Sequence, residues 1–352
     1  MVELCFPNDE WKLKIKKLMN MNFADLLLEK AKALNKKVVL PESEDERTLQ
    51  AASRLVKEKI CRVVLVGEKD KIMSDAKKWG IDLEGVEIIS PNDKKYAEPL
   101  AEKLYQYRKE KGMTPDQART LIKDYLYFGT MLLKEGYVDG YVAGATHTTA
   151  DNLRPALQII KAAPGLRTVS SFFLMIHPDK KWGHEGVLLY ADCGMVEQPT
   201  AEQLADIAVA SARSWKQLVG TEPRVAMLSY STKGSAKSPD TEKVVKATEL
   251  AKKMAPDVLI DGEMQADAAL IPSVAERKCK GSPVGGRANV LIFPDLDAGN
   301  ICYKITERLA GAQALGPLVQ GMAKPAHDLS RGCSADDIVK VAAIAAIMSV
   351  IK

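Results

Sequence analysis

Four short segments hold the residue types that acyl or phosphoryl chemistry would need, and each follows a β-branched run. The most informative is 324–337, KPAHDLSRGCSADD. Ser330, Arg331 and Asp337 bring a hydroxyl donor, a planar guanidinium and a carboxylate around one tight turn. Such a trio can hold an anion and move a proton. The spacing has a plainer use as well. Ser334-x-x-Asp337 matches a capping box with Asp in place of the usual Glu, and spacing alone favours the cap. The second segment, 144–155, reads GATHTTADNLRP. A loop of small and hydroxyl residues, Thr148 and Thr149 among them, enters a helix capped by Asp151 or Asn152. Pro155 then belongs to the first turn. Free first-turn amides beside Arg154 make a phosphate site. A capped helix with a surface arginine is the other reading.

The third segment, 229–235, reads SYSTKGS. It lacks the arrangement of a nucleoside-triphosphate P-loop. Ser231 and Thr232 are candidates to line a polyphosphate or pantetheine path, although a polar connecting loop is the favoured reading. The fourth, 293–304, reads FPDLDAGNICYK. Asp295 and Asp297 form an acidic pair that could hold magnesium, but Asp297 is well placed as an N-cap. With no other acidic cluster to complete a coordination sphere, no metal is expected. His147, His177, His184 and His327 lack ligand spacing, and each reads as a structural hydrogen-bonding residue. No G-x-S-x-G elbow supports a serine hydrolase.

The elements that must position these segments alternate. The runs 37–40 (KVVL), 62–67 (RVVLVG), 86–90 (VEIIS) and 138–143 read as strands. Helical patterns cover 48–59, 96–111, 115–135 and 152–161. This alternation predicts a parallel sheet wrapped by helices. The middle differs. The apolar runs 168–177 and 186–191 flank a short polar turn, which predicts an antiparallel pair. Helices at 201–218, 241–254 and 297–310 and strands at 224–229 and 290–293 follow. A strand near 318–320 and a helix over 335–351 close the chain. Pro164-Gly165 and Gly316-Pro317 punctuate the pattern as domain crossings. The division is an extension at 1–21, a first α/β domain from 22–165 plus 318–352, and an inserted α/β domain from 166–317.

Bulk properties narrow the partners. The chain has 352 residues, 46% hydrophobic and 27% charged, with a net charge of +4. That length suits two α/β domains, and the charge is too small to point to nucleic acid. The longest apolar run is too short for a bilayer span. The N-terminal residues have no signal-peptide pattern, and Met19 or Met21 is a candidate functional start. Six irregularly spaced cysteines fit reduced thiols in a cytoplasm better than a disulfide framework.

Together these segments resemble the phosphate acetyltransferases (phosphotransacetylases), of the phosphate acetyl/butyryltransferase family. GATHTTADNLRPALQIIK and KPAHDLSRGCSADDI carry the resemblance, supported by PESEDERTLQA, FPDLDAGNICYK and LYQYRKEKG around Arg108. The likeness runs in order from about Asn22 to the C-terminus. It implies the isocitrate/isopropylmalate dehydrogenase type of fold: two α/β domains with mainly parallel sheets, a deep interdomain cleft and a homodimer. It implies reversible acetyl transfer between acetyl phosphate and coenzyme A, with acetyl-CoA and phosphate as the other pair and no permanently bound cofactor. It also implies roles: Asp337 as base toward the thiol, Ser330 on the reacting carbonyl or thiol, Arg331 on the acyl phosphate, Arg154 at the anionic end, and Arg108 on coenzyme A phosphates. Where the family usually has Asn before D-L-S-R-G, this chain has His327.

The chemistry sets a requirement. A thiol near 8.5 and an aspartate near 3.9 leave proton transfer uphill by roughly 6 kcal/mol, so the site must narrow that gap. Desolvation of Asp337 as the cleft closes is the expected device. Three rivals remain: a phosphate butyryltransferase, a dehydrogenase of similar fold, and a non-catalytic acyl-coenzyme A sensor. The dehydrogenase lacks its aspartate cluster and nucleotide loop here, and a sensor need not keep Ser330, Arg331 and Asp337.

Overall fold

The computed structural model describes residues 21–350, so the extension expected at 1–21 lies outside them apart from Met21. In chain order the first elements are α1 (Phe23–Lys32), β1 (Lys37–Leu40), α2 (Glu46–Lys57), β2 (Arg62–Val66), α3 (Lys69–Trp79), β3 (Glu87–Ile89), α4 (Lys94–Arg108), α5 (Pro115–Leu121), α6 (Tyr125–Lys134), β4 (Gly140–Ala143) and α7 (Thr149–Ile159). Then come β5 (Ser170–Ile176), β6 (Val187–Ala191), α8 (Ala201–Leu218), β7 (Arg224–Leu228), α9 (Pro239–Met254), β8 (Leu259–Met264), α10 (Ala266–Leu270), α11 (Pro272–Lys278), β9 (Val290–Ile292), α12 (Leu296–Ala310), β10 (Gln313–Gln320), β11 (Ala326–Asp328) and α13 (Ala335–Met348).

The strands form two sheets. One has five strands in the order β11-β4-β1-β2-β3, and every pairing is parallel. Its Val- and Leu-rich strands are buried because helices cover them, as parallel sheets require. The other has six strands in the order β10-β5-β6-β9-β7-β8. The predicted antiparallel pair is there, with Phe172 opposite Ala191. β6, β9, β7 and β8 run parallel. The fold is therefore α/β with mainly parallel sheets. The almost wholly apolar stretch Ile338–Ile347 of α13 is buried and packs against α1, α2 and β4.

Several expectations are corrected. The helical pattern over 115–135 is two helices, because Asp124 accepts from the amides of Leu126 and Tyr127 and starts a new one. β8 is absent from the sequence pattern because Asp261, Gly262 and Glu263 interrupt its apolar run. Burial of Asp261 is tolerated because Lys233, Lys252 and Ser282 all bond it. Leu318–Gln320 does not return to the first sheet. It lies in β10, antiparallel to β5, and β11 makes the return.

Candidate active site

β4 and β11 are parallel neighbours, with Ala143 paired to Asp328. Two of the chemically interesting loops therefore leave the same sheet edge side by side, at the carboxyl ends of the strands. The amide of Leu329 donates to the Ala143 carbonyl at 2.8 Å. Gly144 makes this approach possible. Its φ is +109°, and a Cβ there would stand 2.6 Å from both Asp328 Oδ1 and Leu329 N.

Asp328 joins the loops. Its buried carboxyl accepts from Thr149 Oγ1 at 2.6 Å and from Asn152 Nδ2 at 2.8 Å. Burial pushes Asp328 above the usual range, against those two hydrogen bonds, and the charge of Glu42 adds to the rise. Asn152 is oriented in turn by the Tyr141 hydroxyl at 2.7 Å.

Residues from the loop after β1 and the first turn of α2 complete the junction. Arg47 Nη1 donates to the carbonyls of Arg331 and Cys333, each at 2.8 Å, and Nη2 donates to Ala145 O at 2.9 Å. Asp45 grips the same guanidinium through both oxygens. Glu42, only 2% exposed, accepts from the amides of Gly144, Ala145, Thr146 and His147 at 2.7–3.1 Å. It also meets His147 Nδ1 at 2.8 Å.

The helix start expected within 144–155 is revised. The loop amides serve Glu42. The helix cap is Thr148, which accepts from Asp151 N and donates to Asp151 Oδ2, in place of Asp151 or Asn152. The helix consequently starts earlier, and Pro155 sits inside it beyond the first turn. In the same way Asp295, not Asp297, caps α12 by accepting from Ala298 N.

Two adjoining cavities open beside Asp328. The first, about 290 Å³, is lined by His147, Thr149, Asp328, Ser330 and Arg331 from the first unit. Phe173, Cys193, Asn300, Tyr303 and Pro317 line it from the second, so it lies between the two sheets. Phe173 and Tyr303 stack there at 4.1 Å. The second cavity, about 380 Å³, shares Pro317, Asp328, Leu329 and Ser330 with the first and adds Asp337, Lys340, Glu307 and Arg308. Ser330 is thus common to both, with Arg331 on one side and Asp337 on the other. Asp337 does form the predicted capping box, its Oδ2 accepting from Ser334 N at 2.9 Å and Ser334 Oγ at 2.8 Å. It is also exposed, so one carboxyl oxygen caps the helix while the residue faces the cavity.

The other candidates lie elsewhere, except Cys333, which lines the second cavity. Arg154 is exposed and pairs with Asp151 at 3.1 Å. Arg108 ends α4, and its Nε is buried without a partner among the described residues. Burial raises the Tyr127 phenol, and the charges of Arg154 and Arg108 both oppose that rise, so both arginines lie within electrostatic reach of it. Neither they nor Thr148 line the cavities. Ser231 and Thr232 are buried, their hydroxyls bonded to Glu263 at 2.9 Å and Gln265 at 3.1 Å. They hold the β7 and β8 loops together and do not reach either cavity. Burial pushes the Cys333 thiol up to about 11, so it is protonated at neutral pH and poorly suited as a nucleophile. His327 is fully buried, and burial lowers it to about 4. Its Nδ1 accepts from Val319 N at 3.2 Å, linking β11 to β10.

Glu42, Arg47, His147 and Asp328 were within reach of sequence reasoning. All four lie inside the segments PESEDER, GATHTTA and HDLSRG, but no local spacing announces their partners. Among the described residues, no group of three His, Cys, Asp or Glu is arranged to hold a metal, and no helix is long and apolar enough to cross a membrane.

The profile of the family described as phosphate acetyl/butaryl transferase matches residues 22–346. The chain belongs to this family. It is 56% identical over 329 residues to a phosphate acetyltransferase of Acetivibrio thermocellus, covering 94% of this chain and 98% of the relative. It is 54% identical over 329 residues to one of Thermoanaerobacterium thermosaccharolyticum, covering 94% of this chain and 100% of the relative. Among solved structures, a phosphotransacetylase from Streptococcus pyogenes superposes with a TM-score of 0.88 at 43% identity, covering 93% of this chain and 98% of that one.

Proposed function

We propose that this chain is a phosphate acetyltransferase, interconverting acetyl-CoA plus phosphate with acetyl phosphate plus coenzyme A. The observation that carries the reading is the Ala143–Asp328 pairing, which brings the two segments of the family resemblance to one cavity between the sheets. In this reading Arg331 and Thr149 receive the acyl phosphate in the smaller cavity, and the thiol arm enters the larger one beside Asp337. Asp337 takes the thiol proton. Ser330, shared by both cavities, donates to the carbonyl oxygen as charge develops, and Arg331 balances the departing phosphate. Attack is direct, without an acyl-enzyme. Arg108 and Arg154, which lie outside both cavities, serve the distant phosphates of coenzyme A. Coenzyme A is a substrate, not a resident cofactor.

Two units, 22–165 with the C-terminal segment and the inserted portion between them, move as domains about the cleft. The second crossing falls between Gln320 and Ala326, where the chain passes from one sheet to the other. A homodimer is supported by Ile301, Ile305 and Leu309, which lie four residues apart on α12 and are 56%, 51% and 84% exposed. The unpaired cysteines among the described residues support a cytoplasmic location. Thioester formation by the purified protein, assayed with acetyl and butyryl phosphate side by side, tests the reading. Preference for butyryl phosphate selects the butyryl branch, and absence of turnover with either selects a sensor.

A further inference from the structure

Acetyl transfer poses a problem that Ser330, Arg331 and Asp337 do not solve. When the carbon–oxygen bond of acetyl phosphate breaks, the electron pair moves to the bridging oxygen. Unless a proton arrives, phosphate departs as a trianion. Arginine and serine stabilise that charge but supply no proton at neutral pH. Asp337 is already engaged in removing one from sulfur. A second proton-carrying group on the phosphate side is therefore needed.

The first cavity holds one. His147 lines it together with Ser330 and Arg331. Its Nδ1 lies 2.8 Å from Oε1 of Glu42, a carboxyl with 2% exposure. Since Glu42 also accepts four backbone amides of the same loop, it is rigidly held. It fixes both the ring and its tautomer: Nδ1 carries hydrogen, and Nε2 faces no protein partner among the described residues. A buried carboxyl orienting one imidazole nitrogen while the other is left for substrate is the arrangement of an acid–base histidine. The Thr146 hydroxyl, 3.0 Å from Nδ1, also donates to Glu42 Oε1 at 2.9 Å. The charged groups facing the ring are Glu42 and Glu44 from the loop after β1, Asp151 from α7, and Asp328 and Arg331 across the cavity.

We propose that His147 is the general acid for the leaving phosphate, with Glu42 as its positioning residue. The inference rests on the assignment of the Ser330–Arg331 cavity to the acyl phosphate. In the direction of acetyl-CoA, Asp337 takes the thiol proton and the sulfur–carbon bond forms. The carbon–oxygen bond then breaks, and His147, acting as imidazolium with a second proton taken up from water on Nε2, passes that proton to the bridging oxygen, giving hydrogen phosphate. His147 ends neutral and Asp337 protonated, and both re-equilibrate with water. In the reverse direction neutral His147 removes a proton from hydrogen phosphate, making it the stronger nucleophile toward acetyl-CoA.

The test uses the full chain with acetyl phosphate and coenzyme A, in both directions. His147→Asn keeps a donor toward Glu42 but has no Nε2. His147→Ala leaves room for added imidazole. The expected result is a fall in kcat of about 10²-fold or more in both variants, with KM for acetyl phosphate within about threefold. Imidazole should restore part of the His147→Ala activity, and the limb of the kcat–pH profile that reports the acid should vanish. Turnover within about threefold of the parent, or a loss confined to KM, overturns the proposal. So does a loss that imidazole leaves untouched with the pH profile unchanged in shape. Arg331→Lys is assayed alongside. Retained turnover in that variant fails the assignment of the cavity itself. A loss there with His147→Asn unaffected fails only the acid.

Discussion

A Cβ added to Gly144 would stand 2.6 Å from the Asp328 Oδ1 that Asn152 bonds, so the backbone after β4 lies directly against the carboxyl that anchors Thr149. The two motifs are in contact at this point, with no space for even a methyl group.

Gly144→Ala should therefore affect stability and activity together. The new side chain meets backbone, which cannot swing aside, at a φ that disfavours any L-residue. A loss of about 2 kcal/mol or more is expected in urea unfolding, with turnover depressed as the Asp328–Thr149 contact shifts.

Ser231→Ala separates the polar loops. Ser231 Oγ accepts from Ala236 N and donates to Glu263, far from Ser330. Its removal leaves a buried carboxyl short of a donor, at a cost of about 1–3 kcal/mol in stability. The KM values for acetyl phosphate and coenzyme A should stay within about twofold of the parent. A selective rise in the coenzyme A KM would return Ser231 to the substrate path.

His327 makes stability depend on pH. Burial lowers its folded value to about 4, while the unfolded side chain titrates near 6.5. Between those values the unfolded chain binds the extra proton, so stability is full above about 6.5 and falls as pH drops toward 4. The full effect is about 3 kcal/mol. Other groups titrate in the same window, so the difference between the parent and His327→Asn isolates this contribution. The variant should show a shallower loss of unfolding free energy over that range.

Arg331→Lys keeps a positive charge and loses the planar fork. Turnover should fall about 10²-fold with little change in the unfolding midpoint, because Arg331 is exposed and its backbone carbonyl, not its side chain, receives Arg47. Unchanged kinetics would leave Arg331 as a surface residue.

Much of this architecture is visible in the chain itself. β-Branched runs separated by helical periodicity give parallel sheets, and two apolar runs around a short turn give the β5–β6 pair, because both signals are local. The segments 144–155 and 324–337 also stand out by composition. Their meeting depends on which strands pair, and spacing alone does not tell that β11 lies beside β4 or that Gln313–Gln320 joins β5. The same holds for single residues. Thr148 caps α7 ahead of the equally plausible Asp151 and Asn152, and Glu42 gathers loop amides about a hundred positions away. Ser231 resembles a ligand-binding hydroxyl until Glu263 is seen beside it. For Glu42 and Ser231 the deciding partners are distant in sequence, whereas for Thr148 the local contact with Asp151 decides.

The most direct test is the single-turnover rate of acetyl-CoA formation by Asp337→Asn. The substitution preserves side-chain size and can still accept from Ser334, so the helix cap is largely kept while the base is lost. A fall of about 10²-fold or more, with the fold intact by circular dichroism, is the predicted result. Near-normal turnover would contradict thiol deprotonation by Asp337 and with it the two-cavity mechanism.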